Sequence, residues 1–149
     1  MICPNCKNES SVWGKKNSYN LFSCNSCGLV FVNPLPDPTL VYNEDYFTGA
    51  SGGFGYVDYD ADKEPMVPTF NKYIDLLAKY GKPNGSLFDI GAATGFFLKI
   101  AQKRGYSVSG VEMSDHAAGE ARRAGLDVKS GDMMSLKLPS EAFDVVTML

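Results

Sequence analysis

The sequence predicts an α/β fold: a parallel sheet with helical crossovers, preceded by a small β module stapled by a metal. Three observations predict it. From residue 86 onward, strand-like and helix-like stretches alternate with a repeat of roughly 20 residues, the pattern of right-handed parallel crossovers. A glycine loop, GAATG, follows the first of these strands directly. The chain's four cysteines all lie in the first 27 residues, as two C-x2-C pairs.

The bulk numbers set the frame. A chain of 149 residues, 44% hydrophobic and 21% charged, suits one ordinary globular domain with a small satellite. The formal charge of −3 and the scattered Lys and Arg weigh against a nucleic-acid partner, which usually meets a basic face. No apolar run approaches the roughly 18 residues of a membrane span. The start, MICPNC, lacks a charged-then-apolar leader, so the expected compartment is the cytoplasm.

Cys3, Cys6, Cys24 and Cys27 form CPNC and CNSC. Two thiolates from each of two facing turns make a closed tetrahedron around Zn²⁺, with bonds of about 2.3 Å. Gly28 suits the backbone reversal after the second pair. Four thiolates leave no open coordination position, so such a zinc is structural. Two disulfides or a redox pair are the other readings; the first needs an oxidising compartment, the second a single CxxC. Residues 1–33 thus read as a zinc ribbon, with SYNLFSC and GLVFV as strands. Metal binding makes up for a core too small to fold alone.

Residues 34–68 read as a linker. NPLPDP interrupts regular structure, and Asp37 caps a helix with Pro38 at its first position and TLVYNEDYF after it. TGASGGFGYVDYDADKE (48–64) reads as a mobile loop able to cover a ligand. Residues 69–149 form the main domain. Phe70, Tyr73, Ile74 and Leu77 fall on one helical face, and Gly81 to Gly85 end the run. SLFDIG is a strand, FFLKIAQKRG a helix, YSVSGVE a strand, and SDHAAGEARRAG a helix capped by Ser114. LDVKSGD and AFDVVTML are the third and fourth strands. His116 reads as a surface residue, and Trp13, Phe96 and Phe97 as packing.

Three acids stand at strand carboxyl ends: Asp89, Glu112 and Asp132. In an open parallel sheet that edge holds the ligand, where strand order reverses, here at the first strand. Glu112, 21 residues after Gly91, can accept from both hydroxyls of a ribose. A dinucleotide loop wants G-x-G-x-x-G, but Ala93 and Phe96 hold its second and third glycine positions. A Walker loop fails for want of G-K-[ST]. The expected ligand is therefore an adenosine carrying something less anionic than phosphate.

FDIGAATGFFL resembles the first motif of class I S-adenosylmethionine-dependent methyltransferases, with Ala93 in place of the middle glycine. VEMS resembles their second motif, and SGDMMSLKLPSEAFDVVTML their adenine-contacting Gly-Asp segment and fourth strand. The resemblance covers residues 69–149 and implies a Rossmann-like core, the cofactor S-adenosyl-L-methionine, and S-adenosyl-L-homocysteine as product. Paired CxxC turns, CGLVFVNPLPDP and YNEDYF resemble bacterial members that begin with a zinc-binding domain, some of which act on deoxysugars or surface-polysaccharide precursors. The acceptor it implies is a small molecule or sugar; it implies no particular catalytic residue.

Carried over by position, the backbone from Gly91 through Ala92, Ala93 and Thr94 to Gly95 would cradle the methionine part. Asp89 would face its ammonium. Glu112 would hold the ribose, and Met113 would pack on the adenine. Asp132 would accept from the adenine amino group, and the Met133 N–H would meet a ring nitrogen. Met148 and Leu149 would approach the sulfonium. Tyr56 and Tyr59, from loop position and polar tips, would close over the methionine carboxylate. The family sheet has seven strands and four are readable, so the chain reads as part of a longer protein, with VVTML as an edge inviting self-association. The competing classes are a zinc-ribbon module for protein or nucleic acid, and an NAD-linked reductase.

Overall fold

A computed structural model describes residues 1–49 and 55–149. They form two compact units, Met1–Asp37 and Pro38–Leu149. Among the described residues no helix is long and apolar enough to cross a membrane.

The first unit is an antiparallel sheet of β1 (Ser10–Lys16), β2 (Tyr19–Cys24) and β3 (Val30–Val32), in that order. Asn17 and Ser18 join β1 to β2, both with positive φ, the two-residue turn whose twist matches a hairpin. Val12 pairs with Phe22 and Gly14 with Leu21, so Trp13 is the extra residue of a bulge. Bulging turns it outward: Trp13 is 65% exposed, not packed as its size suggests. The two cysteine turns share one backbone design. Lys7 N–H donates to the Cys3 carbonyl and Gly28 N–H to the Cys24 carbonyl, 3.1 Å in each case. Both donor residues take the left-handed conformation, Lys7 at φ 63° and Gly28 at φ 72°.

The second unit opens with α1 (Pro38–Val41) and α2 (Glu44–Thr48). These replace the single helix expected here, because the Asn43 side chain caps a new helix by accepting from Tyr46 N–H. Part of the expected mobile loop, residues 50–54, lies outside the described residues. The rest is more regular than expected: Asp58 caps α3 (Tyr59–Lys63), and a 3₁₀ turn leads into α4 (Val67–Tyr80).

Next come β4 (Ser86–Ile90), α5 (Phe96–Lys103), β5 (Ser107–Glu112), α6 (Asp115–Arg123), β6 (Asp127–Ser130) and β7 (Val145–Thr147). The four strands are parallel in the order β6-β5-β4-β7. The order therefore reverses at β4, the strand that feeds the glycine loop, and ligand crevices open at such a reversal. Helical periodicity supplies the core. Phe70 and Ile74 of α4 and Phe97, Leu98 and Ala101 of α5 are buried with Leu87, Val128 and Val145 from the sheet. Each large aliphatic side chain so buried contributes about 1.5–3 kcal/mol. On α6 the buried residues are all alanines, Ala117, Ala118 and Ala121, which lets that helix lie close to its neighbours. His116 is less exposed than expected, because its ring stacks on Phe47 at 6.2 Å.

Asp144 fixes the register of β7. Its carboxylate accepts from Ser86 N–H at 2.8 Å and Ser86 Oγ at 2.9 Å, with Lys82 Nζ at 3.1 Å. The Ser86 backbone donor first, then Lys82, hold its carboxyl down at about 2.

Gly110 sets how closely the glycine loop lies on β5. A Cβ there would stand 2.8 Å from the Asp89 carbonyl oxygen and 3.0 Å from the Ala92 methyl. Gly110→Ala is expected to destabilise the chain by about 1–3 kcal/mol, read as a lower urea midpoint at unchanged slope.

Candidate cofactor site and metal centre

The strand carboxyl ends, with residues 42–47 and 56–63, enclose a cavity of about 460 Å³, within the range of small-molecule sites. β4 contributes its floor. Gly91 and Ala92 N–H groups both donate to the Val111 carbonyl, at 2.9 and 3.0 Å, folding the loop back over β5. Gly91 has φ +77°, and a Cβ there would meet nothing within 4 Å. That open space is the cavity, so a side chain at 91 would project where a ligand fits.

Glu112 ends β5 and is buried at 7% exposure. Its Oε2 accepts from Ala93 N–H and its Oε1 from Ser114 N–H, each at 2.8 Å. The carboxylate is thus held rigid at the cavity edge, and each oxygen retains a lone pair for a further donor. The same bond holds Ala93 at φ 49°, left-handed, a conformation costing about 1–2 kcal/mol for a residue with a Cβ. Its methyl is buried against Phe47 and Ala117.

β6 leads to the opposite wall. Asp132 caps the 3₁₀ turn Met133–Ser135, its Oδ1 accepting from Met134 N–H at 3.1 Å. Met133 stands first in that turn, where a backbone N–H has no acceptor within the helix. Met113, Asp132 and Met133 all line the cavity.

The third wall is aromatic. Tyr42, Tyr46, Phe47, Tyr56 and Tyr59 line the cavity, linked by edge-to-face contacts such as Tyr56–Tyr59 at 4.7 Å. Burial first, then the neighbouring Tyr56, pushes the Tyr59 hydroxyl well above its usual range. Lys63 lies one turn after Tyr59. Its Nζ donates to the Tyr56 hydroxyl at 3.2 Å and sits 4.8 and 5.0 Å from the Tyr56 and Tyr59 ring centres. Tyr42, Tyr46, Phe47 and Lys63 were missed in sequence; the Asp58 cap before YDADK was the readable sign of a helix carrying Tyr59 and Lys63 together.

Asp89 faces an adjoining cavity of about 180 Å³, which shares Gly91, Tyr59, Lys63 and Leu149 with the first and adds Ala92. It is 3% exposed and accepts from the Thr147 hydroxyl at 2.7 Å. Burial pushes its carboxyl up from the ordinary 3.8 to about 6, against the opposing pull of Thr147.

Three residues of the expected cofactor set line neither cavity. Thr94 turns its hydroxyl behind the loop to Asp60. Gly95 caps α5 at φ +78°, where a Cβ would run into Leu126. Met148 is 77% exposed; strand alternation turns Thr147 toward Asp89 and its neighbours Val146 and Met148 away.

In the first unit the Sγ atoms of Cys3, Cys6, Cys24 and Cys27 lie within 4.8 Å of one another. Cys6–Cys24 is 3.4 Å and Cys3–Cys27 3.7 Å, beside the roughly 3.8 Å edge of a tetrahedron built on 2.3 Å zinc–sulfur bonds. All four are free thiols. Backbone N–H donors of Cys27 and then Ser26, each 3.4 Å from Cys24 Sγ, bring that thiol down to about 6, favouring the thiolate that binds metal.

The family profile described as a methyltransferase domain matches residues 88–149. Among solved structures, magnesium protoporphyrin IX methyltransferase from Synechocystis PCC 6803, with bound SAH, is 22% identical at a TM-score of 0.53, covering 75% of this chain and 57% of its own. DesVI of Streptomyces venezuelae is 22% identical at a TM-score of 0.51, over 77% of this chain and 44% of its own. An S-adenosylmethionine-dependent methyltransferase from Mesorhizobium loti is 26% identical at 0.46, over 58% and 40%. The chain spans about half the length of the solved structures it matches. No curated protein matches its sequence. Residues 88–149 are thus similar to a methyltransferase domain, and the parallel sheet is Rossmann-like, as in these solved structures.

The Asp89 environment has a pH signature. A carboxyl raised in the folded state binds more protons than the unfolded chain between pH 3.8 and about 6. Its contribution to stability, about 3 kcal/mol, is therefore complete below 3.8 and lost as pH rises through 6. Urea unfolding of the chain and Asp89→Asn across this window is expected to show the difference between them change by that amount.

Proposed function

We propose that the chain binds S-adenosyl-L-methionine in the 460 Å³ cavity, and that the protein transfers its methyl group to a small-molecule acceptor such as a sugar or polysaccharide precursor. The observation that carries this reading is Glu112: a buried carboxylate, oriented by two backbone donors, beside a glycine whose missing side chain leaves the cavity open. A ribose diol offers the two donors that such a group lacks.

The remaining lining fits the rest of the ligand. Met113 offers an apolar face to the adenine, Asp132 an acceptor for its amino group, and the Met133 N–H a donor for a ring nitrogen. Asp89 offers a carboxylate to the α-ammonium. Lys63, with Tyr56 and Tyr59 around it, offers one cation for one carboxylate. Leu149, lining both cavities, keeps the junction between them apolar. When bound, the sulfonium supplies an electrophilic methyl group; this chain's part is to orient it and exclude water.

In the same reading Cys3, Cys6, Cys24 and Cys27 hold a structural Zn²⁺. Four thiolates close the coordination shell, which leaves the metal no part in the transfer.

Calorimetry is expected to give saturable binding of S-adenosylhomocysteine and none of NAD; NAD binding alone would overturn the reading. Glu112→Gln keeps the shape but removes the charge, and should weaken binding about 10- to 100-fold with an unchanged circular dichroism spectrum. Metal analysis after dialysis should return about one zinc per chain, and Cys24→Ser should lower it.

A further inference from the structure

We propose that Asp60 is a positioning residue that locks the helix covering the cavity to the glycine loop beneath it. The inference rests on reading the cavity as the cofactor site, but its first test does not.

Helix α3 has two working faces. Tyr59 and Lys63, one turn apart, line the cavity. Asp60, the next residue round, points to the other side and takes two donors. Its Oδ1 accepts from the Thr94 hydroxyl, and its Oδ2 from Lys99 Nζ at 2.9 Å. Thr94 is buried at 7% exposure within the glycine loop. Its neighbour Ala93 donates to Glu112. One chain of bonds therefore runs from Glu112 through Ala93 and Thr94 to Asp60, and so to the helix bearing Tyr59 and Lys63.

The ion pair with Lys99 is partly exposed, at 33% and 42%, and exposed pairs add little to global stability. The Thr94 hydroxyl differs, because a buried donor stripped of its acceptor is costly. The effect should therefore be local: without Asp60 the loop and helix open independently, while the core stays folded. A ligand held between them would leave sooner, with its approach unaltered.

Hydrogen exchange on the ligand-free full chain tests this directly. Asp60→Ala and Thr94→Val are each expected to speed exchange about tenfold in residues 91–95 and 59–63, with the core amides unchanged. Thr94→Ser, which keeps the hydroxyl, should match the parent chain, and the double variant should be no worse than either single one. Unchanged exchange in Asp60→Ala, or a Thr94→Ser that behaves like Thr94→Val, would sink the proposal. If Asp60→Ala does not fold, Asp60→Asn, a weaker acceptor of the same shape, decides by the same readout. Stopped-flow measurement with S-adenosylhomocysteine should then show dissociation about 5- to 10-fold faster in Asp60→Ala, with association unaltered. An unaltered dissociation rate overturns the lock alone. Absence of binding by the parent chain overturns the cofactor reading, and exchange still decides the lock.

Discussion

The site depends on one buried carboxylate. Glu112 accepts from the backbone of the glycine loop on one side and from the start of α6 on the other, each at 2.8 Å. Those bonds do three things at once. They satisfy two donors that burial would otherwise strand, they hold Ala93 in a left-handed conformation it would not choose, and they aim the acid at the cavity. A site built this way needs little rearrangement when a ligand arrives, because the ordering was done in folding.

Around that anchor the charge is unevenly arranged. Asp89, Glu112 and Asp132 surround the two cavities, and Lys63 is the cation among their described lining residues. Lys63 is itself engaged with Tyr56 and Tyr59 at the aromatic wall. A ligand with separated positive and negative groups suits such a lining better than a polyanion does.

Much of this was legible in the sequence because it is written locally. The strands and helices after residue 86 follow their periods closely, and turn residues mark their ends. Asp89, Glu112 and Asp132 could be placed at strand ends from that alone, and the strand order followed from the loop position. Other features depend on distant partners and leave no period. The Thr94–Asp60 bond joins residues 34 apart in sequence. Lys63 sits on a helix of five residues, too short for any hydrophobic pattern to declare. Trp13 misled because residue type does not report a bulge; only the pairing of Val12 and Gly14 does. The two short helices at 38–48 were hidden by a cap, Asn43, in the middle of what looks like one run.

The twin cysteine turns are copies in backbone but not in composition. At the residue closing each turn, glycine takes the left-handed conformation freely, whereas Lys7 bears a side chain there. The second turn is also clamped between β2 and β3, while the first is tied to the sheet edge by an isolated bridge, Ile2 to Glu9, and the Ser10–Met1 bonds. An ion held by these thiols would therefore meet two unlike pairs: Cys24 and Cys27 on a turn between two paired strands, Cys3 and Cys6 on a segment joined only at the sheet edge.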